Sequence, residues 1–214
     1  MKKSILSKIG LGIIVMTVGM TSCGNGDKEN ESDTIDVHSP EIANVKYETT
    51  LIEKVADSIF MKNNISVELY YEKVGGDGTL YKVENYNGLD PEIVKSNYNV
   101  IRYEGGGIMY LVEMPNANGK PFENVYTSIY SETGTLLRFD RKSLFAIEGL
   151  SQFVESSTYY FDKGGNVIEK TYTIVDLLHL KKQVDAKVAD DSPGRIDYRY
   201  YVTAKEFCAA HPFK

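Results

Sequence analysis

Three histidines, two cysteines and 30 Asp and Glu side chains are the groups of this 214-residue chain best suited to acid-base, nucleophilic or metal chemistry. His38 lies in an acidic polar stretch, so imidazole chemistry would fall to His179 or His211. His179 sits on the polar side of an apolar pattern over 177–188, the place of a surface residue. Cys208 and His211 have a spacing that zinc ligands use, but no second Cys/His pair completes a set of four. Cys208 therefore reads as a small apolar residue on the buried side of a short helix. Asp27, Glu29, Glu31 and Asp33 alternate as calcium-loop ligands do, without the sixth-position Gly and twelfth-position Glu of such a loop. No Gly-x-Ser-x-Gly elbow, Walker loop or His-Glu-x-x-His occurs. Gly105-Gly106-Gly107 precedes a strand pattern, so no helix dipole would assist phosphate binding, and it reads as a turn or bulge. No catalytic residue, cofactor or metal site is assigned. A carboxylate pair about 5 to 9.5 Å apart would serve glycoside hydrolysis, and no motif selects the two.

Tyrosine is the compositional excess, 16 against 8 Phe and no Trp. Exposed Tyr on a rigid sheet stacks on sugars or anchors peptides, and Tyr is also a favoured strand residue. Tyr70-Tyr71, Tyr159-Tyr160 and Tyr200-Tyr201 are adjacent pairs. Neighbouring strand residues face opposite ways, so one member of each is expected on the face away from the core. These six tyrosines are the expected binding surface, for a glycan or protein ligand. Lys+Arg 24 against Asp+Glu 30 gives a net charge of −6, which lacks the footprint of a nucleic-acid binder.

The elements that must position these residues follow from periodicity. Thr50-Leu51-Ile52-Glu53 has the pattern of a capping box, and Leu51, Ile52, Val55, Ile59 and Phe60 recur at helical spacing. This predicts a helix over 50–62, or from Ser39-Pro40. Then the period drops to 2. Ile65, Val67, Leu69 and Tyr71 alternate with polar or aromatic residues, and Gly75-Gly76-Asp77-Gly78 turns the chain into 80–86. Asp90-Pro91-Glu92 predicts a short helix. Further strands are expected near 100–103, 108–114, 125–130, 135–139, 157–161, 167–174 and 196–202. A helix over 177–188 and a capping box at Thr203-Ala204-Lys205-Glu206 complete the chain. The fold class is α+β, an antiparallel β-meander of about 7 to 9 strands with an N-terminal helix and short C-terminal helices on one face. A lipocalin-like barrel is the alternative. An aromatic also falls four residues before a Gly at Tyr71/Gly75, Tyr103/Gly107, Tyr130/Gly134 and Phe161/Gly165. The last two units resemble tyrosine-aspartate hairpin repeats of wall-associated and secreted proteins.

Residues 1–22 carry Lys2, Lys3 and Lys8, then an apolar run over 9–20 too short for a bilayer, which needs roughly 20 residues. This is a secretory signal pattern. Met20-Thr21-Ser22-Cys23 resembles the lipobox of bacterial lipoproteins, with Met where Leu is commoner. The resemblance implies that Cys23 is diacylglycerylated, that cleavage precedes it, and that its amine takes an acyl chain such as palmitate. Two or three chains anchor a protein stably, because each buried CH₂ contributes about 0.8 kcal/mol. Taking the three lysines from 24 basic residues leaves 21 against 30 acidic ones after cleavage, a net of −9. Residues 23–39 then form an acidic tether, and 40–214 a single domain. By resemblance to enteric lipoproteins, Gly24 after the Cys implies onward transport to the outer membrane by lipoprotein export machinery, and the acidic run resembles the surface-export signals of some Gram-negative lineages.

The expectation is thus a lipid-anchored cell-envelope protein, a binding or interaction module more than an enzyme. Its rivals are a carboxylate-dependent envelope hydrolase and an inhibitor or immunity-like protein. Cys23→Ala is expected to shift the protein from the detergent-extracted membrane fraction to the soluble one, or to leave it uncleaved at the inner membrane. Fractionation with immunoblotting checks this, and membrane retention of a cleaved variant would contradict it.

Overall fold

Helix α1, Pro40–Met61, is capped by Ser39, whose hydroxyl accepts the Glu41 amide, and begins with Pro at its first position, where the ring's fixed φ suits a helix. In the computed structural model the described residues are 39–62, 66–116, 124–146, 152–177, 181–182 and 199–214. The earlier of the two expected starts is therefore the real one. Thr50 does not cap: its Oγ1 donates to Lys46 O at 2.7 Å, the back-bond of a mid-helix threonine. Starting at Pro40 also fixes which face turns inward. Ile42, Val45, Thr49, Ile52 and Ala56 are buried, while Leu51 and Val55 are 44% and 49% exposed.

Among the described residues nine strands follow: β1 Val67–Lys73, β2 Leu80–Val83, β3 Val94–Arg102, β4 Ile108–Pro115, β5 Asn124–Tyr130, β6 Leu136–Ala146, β7 Gln152–Phe161, β8 Val167–Asp176 and the two-residue β9 Lys181–Lys182. They form one antiparallel sheet in the order β2-β1-β3-β4-β5-β6-β7-β8-β9. Its end strands do not pair, so the sheet is an open meander and not a barrel. Helix α2, Ala204–Ala210, closes the chain, and its capping box at Thr203 and Glu206 is formed on both sides.

Three local expectations change. Asp90-Pro91-Glu92 makes no helix, because the Asp90 carboxylate accepts the Glu92 amide at 2.9 Å and its carbonyl accepts Ile93, which is an Asx turn running straight into β3. Within 177–188, Lys181–Lys182 is strand, paired to Val175 and Asp176, and 178–180 and 183–188 lie outside the described residues. Of the strand expected over 196–202, residues 196–198 lie outside the described residues and 199–202 are not strand: they cross hairpin turns, with Val202 O accepting Leu136 N.

The helices do not share one face. α1 residues Val45, Ile52 and Ala56 pack with Ile101, Met109, Ile129 and Leu137, whereas α2 residues Ala204 and Phe207 pack with Val100, Ile108, Tyr130 and Leu136. Neighbours in sequence thus serve opposite cores, the signature of a sheet covered on both sides. The expectation of a single core face fails because alternation implies apolar-in and polar-out, while here both parities are apolar in the middle strands.

Three hairpins, β3–β4, β5–β6 and β7–β8, have the same turn. In each, the residue at i accepts from i+3 and donates to i+4, with a glycine at positive φ at i+3: Tyr103 with Gly106 (85°), Ser131 with Gly134 (84°) and Asp162 with Gly165 (81°). This is a type I turn completed by a left-handed residue, the place glycine fills without strain. The sequence alignment of the repeat therefore shifts by one in the first unit: Arg102, and not Tyr103, occupies the place of Tyr130 and Phe161. The β1–β2 turn has different hydrogen bonds and does not belong to the series.

At the second residue of each returning strand the ladder skips a position. The skipped residues are Met109, Leu137 and Ile168, and all three lie in the cluster under α1. A bulge puts two consecutive side chains on one side, so three equivalent bulges seat the helix.

The tail pins the opposite face. Leu136 N donates to Val202 O and Ala204 N to Gly134 O, each at 2.8 Å. At the far edge Leu80 N donates to Pro212 O, Lys214 N to Leu80 O and Lys82 N to Lys214 O. A Cβ on Gly165 would overlap Val202 Cγ1, whereas one on Gly106 would meet nothing within 4 Å. Gly106→Ala is expected to cost the left-handed penalty of about 1–2 kcal/mol. Gly165→Ala adds about 1–3 kcal/mol of overpacking. Paired urea unfolding curves check the difference.

Candidate functional site

Polar side chains gather on the α2 side of the sheet. Cross-strand pairing aligns Tyr98, Glu113, Tyr126, Arg141, Ser157 and Tyr172 in one row over β3 to β8. Asn124, Ser143 and Glu155 continue it one step along the strands. Glu72, Ser96, Tyr98, Ser143, Glu155 and Ser157 are all buried. Burying such groups is tolerable only with partners, and the partners are specific. Tyr98 Oη donates to Glu72 Oε2 at 3.0 Å and Lys95 Nζ to Glu72 Oε1 at 2.7 Å. Ser96 Oγ donates to Glu113 Oε1 at 3.2 Å, Tyr172 Oη to Glu155 Oε1 at 2.6 Å and Ser143 Oγ to Asn124 Oδ1 at 2.6 Å. The Arg141 guanidinium stands 3.8 Å from Glu155. Burial, then the charges of Glu113 and Glu72, push the Tyr98 phenol far above its ordinary pKa, so it stays a donor.

On the α1 side, Arg138 bridges helix and sheet. Its Nη1 binds Glu53 at 2.7 Å and its Nη2 binds Asp140 at 2.9 Å, and Asp140 also accepts from Thr158 at 2.6 Å. Burial alone would lower the Arg138 pKa, but Asp140 and Glu53 raise it above its usual value. On the α2 side again, Glu68 accepts from Arg102 at 2.8 Å, Tyr70 at 3.0 Å and Lys82 at 3.3 Å.

The six tyrosines singled out in the sequence do not converge. Tyr70 is buried on the α2 side, edge-on to Phe213 at 4.9 Å, and Tyr71 lies on the other side, 5.6 Å from the Tyr81 ring. Tyr159 and Tyr200 join Phe139 and Phe161 in an aromatic cluster next to α2. Tyr160 packs in the α1 cluster, with Lys46 and Arg138 over its ring. Members of the strand pairs do face opposite ways, but each face has its own core, so no Tyr is outward by parity alone. Tyr71 and Tyr81, with Lys73 Nζ 4.4 Å from the Tyr81 ring, form a half-exposed pair at the β1–β2 edge.

His211 is a clamp. Its Nδ1 faces Gly78 O at 3.3 Å, and a carbonyl only accepts, so Nδ1 is the donor there, while Nε2 and Tyr201 Oη lie within hydrogen-bond distance at 3.1 Å. The ring stacks on Phe207 at 4.8 Å. Cys208 is a free, half-buried thiol that packs against the core, and burial raises its pKa. Cys23, His38 and His179 lie outside the described residues. Among the described residues no group of three His, Cys, Asp or Glu is placed to hold a metal ion. A cavity of about 520 Å³ lies away from the polar row, along α1 against Leu51, Lys54, Val55, Ser58, Ile59 and Lys62.

Compared with protein-family models, curated proteins and solved structures, the chain matches none.

Burial alone would raise the Glu68 pKa, but the hydrogen bonds from Arg102 and Tyr70 hold it below the ordinary 4.5. A depressed folded-state pKa gives stability that is present above 4.5 and lost as pH falls through the lowered value. Glu68→Gln is expected to flatten that acid limb, read from thermal melts across pH 2 to 6 in steps of about half a unit.

Proposed function

We propose that this chain is a lipid-anchored cell-envelope protein, acylated on Cys23, whose folded region is a non-enzymatic binding module. The observation that carries the anchoring is the basic, then apolar signal ending at Met20-Thr21-Ser22-Cys23. Supporting it, the first helix is capped at Ser39, the residue at which the acidic tether read from the sequence ends.

What favours binding over carboxylate hydrolysis is the use already made of the buried carboxylates. Glu72 accepts from Tyr98 and Lys95, Asp140 from Arg138 and Thr158, and Glu155 from Tyr172. Those oxygens are engaged by neighbours within the sheet, whereas glycoside hydrolysis needs two carboxyls facing a bound substrate. The aromatic pair Tyr71 and Tyr81, with Lys73 beside it, is the surface we assign to a glycan or peptide ligand, since an exposed ring pair offers apolar area at little entropic cost.

Purified protein should bind members of a glycan or peptide array without cleaving them. Tyr71→Ala is expected to weaken that binding by about 1–3 kcal/mol, by analogy with aromatic stacking on bases, with little change in melting temperature. Tyr70→Ala should instead cost about 3–5 kcal/mol of folding stability, the loss of a buried aromatic. Release of reducing ends from a glycan, abolished by Glu72→Gln or Glu155→Gln, would establish the hydrolase in its place.

A further inference from the structure

We infer that the outward face of α1 docks on the anionic lipid leaflet in which Cys23 is anchored, an inference that rests on the acylation proposed above. At 100° per residue, the buried positions Ile42, Val45, Thr49, Ile52 and Ala56 mark one side of the helix. The opposite third carries Ala43, Asn44, Tyr47, Thr50, Leu51, Lys54, Ser58, Met61 and, at the C-cap, Lys62, with Val55 just beyond one border and Asp57 just beyond the other. Tyr47 is 69% exposed and Met61 87%, and Leu51 and Val55 are each nearly half exposed. Lys54, Ser58 and Lys62 are exposed as well.

This strip holds no acidic residue, in a chain whose acids outnumber its bases. Glu53 points to the sheet and is engaged by Arg138, while Glu41, Glu48 and Asp57 fall on the flanks of the helix. Lys46, which is not on the strip, is paired with Glu169. The result is an apolar stripe bearing two cations along a helix of 22 residues. A monotopic helix lies in a membrane interface in this way, with apolar side chains entering the acyl boundary and lysines reaching to phosphates. Tyrosine suits the headgroup level.

The covalent connection supplies the proximity. Pro40 lies 17 residues after Cys23, and a stretch of that length reaches at most about 60 Å even when fully extended. Docking is then an intramolecular event at high effective concentration, so a modest intrinsic affinity suffices. An acidic domain held near an anionic surface is otherwise repelled by it, and the strip is the face of α1 on which that repulsion is reversed.

The chain has no Trp, so the single indole of a Tyr47→Trp variant reports this face without background. The acylated variant is reconstituted in phosphatidylcholine vesicles, with and without phosphatidylglycerol, containing brominated acyl chains as quenchers. A Lys205→Trp variant, with its indole on the exposed side of α2, is the reference. The Tyr47→Trp emission should be quenched and blue-shifted when phosphatidylglycerol is present, and the Lys205→Trp emission unaffected. Replacing Lys54 and Lys62 by Gln in the Tyr47→Trp protein should lower the docked-to-undocked ratio about fivefold per lysine. Equal quenching of the two variants in the phosphatidylglycerol vesicles overturns the inference. So does a blue shift that follows protein density and ignores lipid charge, which would make the occupant a second copy of this chain. Flotation with the same vesicles reads the anchor separately. Tyr47→Trp protein that floats with phosphatidylglycerol vesicles but is not quenched there overturns the docking alone. Protein that fails to float with plain phosphatidylcholine vesicles overturns the acylation and the docking together.

Discussion

The seating of α1 on three equivalent bulges is the contact on which the architecture turns. A flat ladder would present one side chain per two residues to the helix. At Met109, Leu137 and Ile168 the ladder skips a residue and presents two in succession, the apolar bulge residue and then Tyr110, Arg138 or Glu169. The apolar member fills the groove beneath the helix. Its polar neighbour is then free to fix the helix laterally: Arg138 reaches Glu53, and Glu169 reaches Lys46. Bulges also increase local twist, and three of them in alternate hairpins let a nine-stranded meander stay open while following a helix laid across it.

With one helix above and another below, each middle strand must satisfy two cores at once. Val100 and Ile101, or Leu136 and Leu137, are both buried and belong to different clusters. The polar row of Tyr98, Glu113, Tyr126 and Arg141 occupies strand positions of the same parity as the α2 core, farther along the strands. There the sheet replaces hydrocarbon packing by hydrogen bonds between side chains. Such a network fixes register, because a one-residue slip would move every carboxylate away from its phenol or hydroxyl.

Much of this was legible in the chain. Period-2 alternation marked β1, the other strands through β8 were located by position though β3, β6 and β7 run five or more residues beyond their expected ranges, and Thr203-x-x-Glu206 marked α2, since cap and strand signals are local. The glycines at Gly134 and Gly165 marked two of the turns for the same reason. What failed was non-local. Leu51 and Val55 have the right spacing for a buried face, but which face is buried depends on Ile42 and Val45 a turn or two earlier. Asp90-Pro91-Glu92 has the composition of a helix start, yet an Asx turn uses the same residues. The pairing of Glu72 with Tyr98 or of Glu155 with Tyr172 depends on register between strands, and nothing within either strand announces it. The tyrosine pairs showed the same limit: their opposite orientation followed from the backbone, and their surroundings did not.

The tail has a consequence in time. Residues 199–214 supply Ala204 and Phe207 to one core, cover the turn at Gly134 and bond to both Leu80 and Lys82 on the first hairpin. β3 pairs with β1, and from β4 on each strand pairs with the one before it in sequence, so most of the ladder needs no contact with the tail. Its first edge and one whole face cannot be closed until the tail has been made. Until the tail docks, the chain therefore carries an unpaired β2 edge and an uncovered aromatic floor, the kind of surface that invites association with other chains.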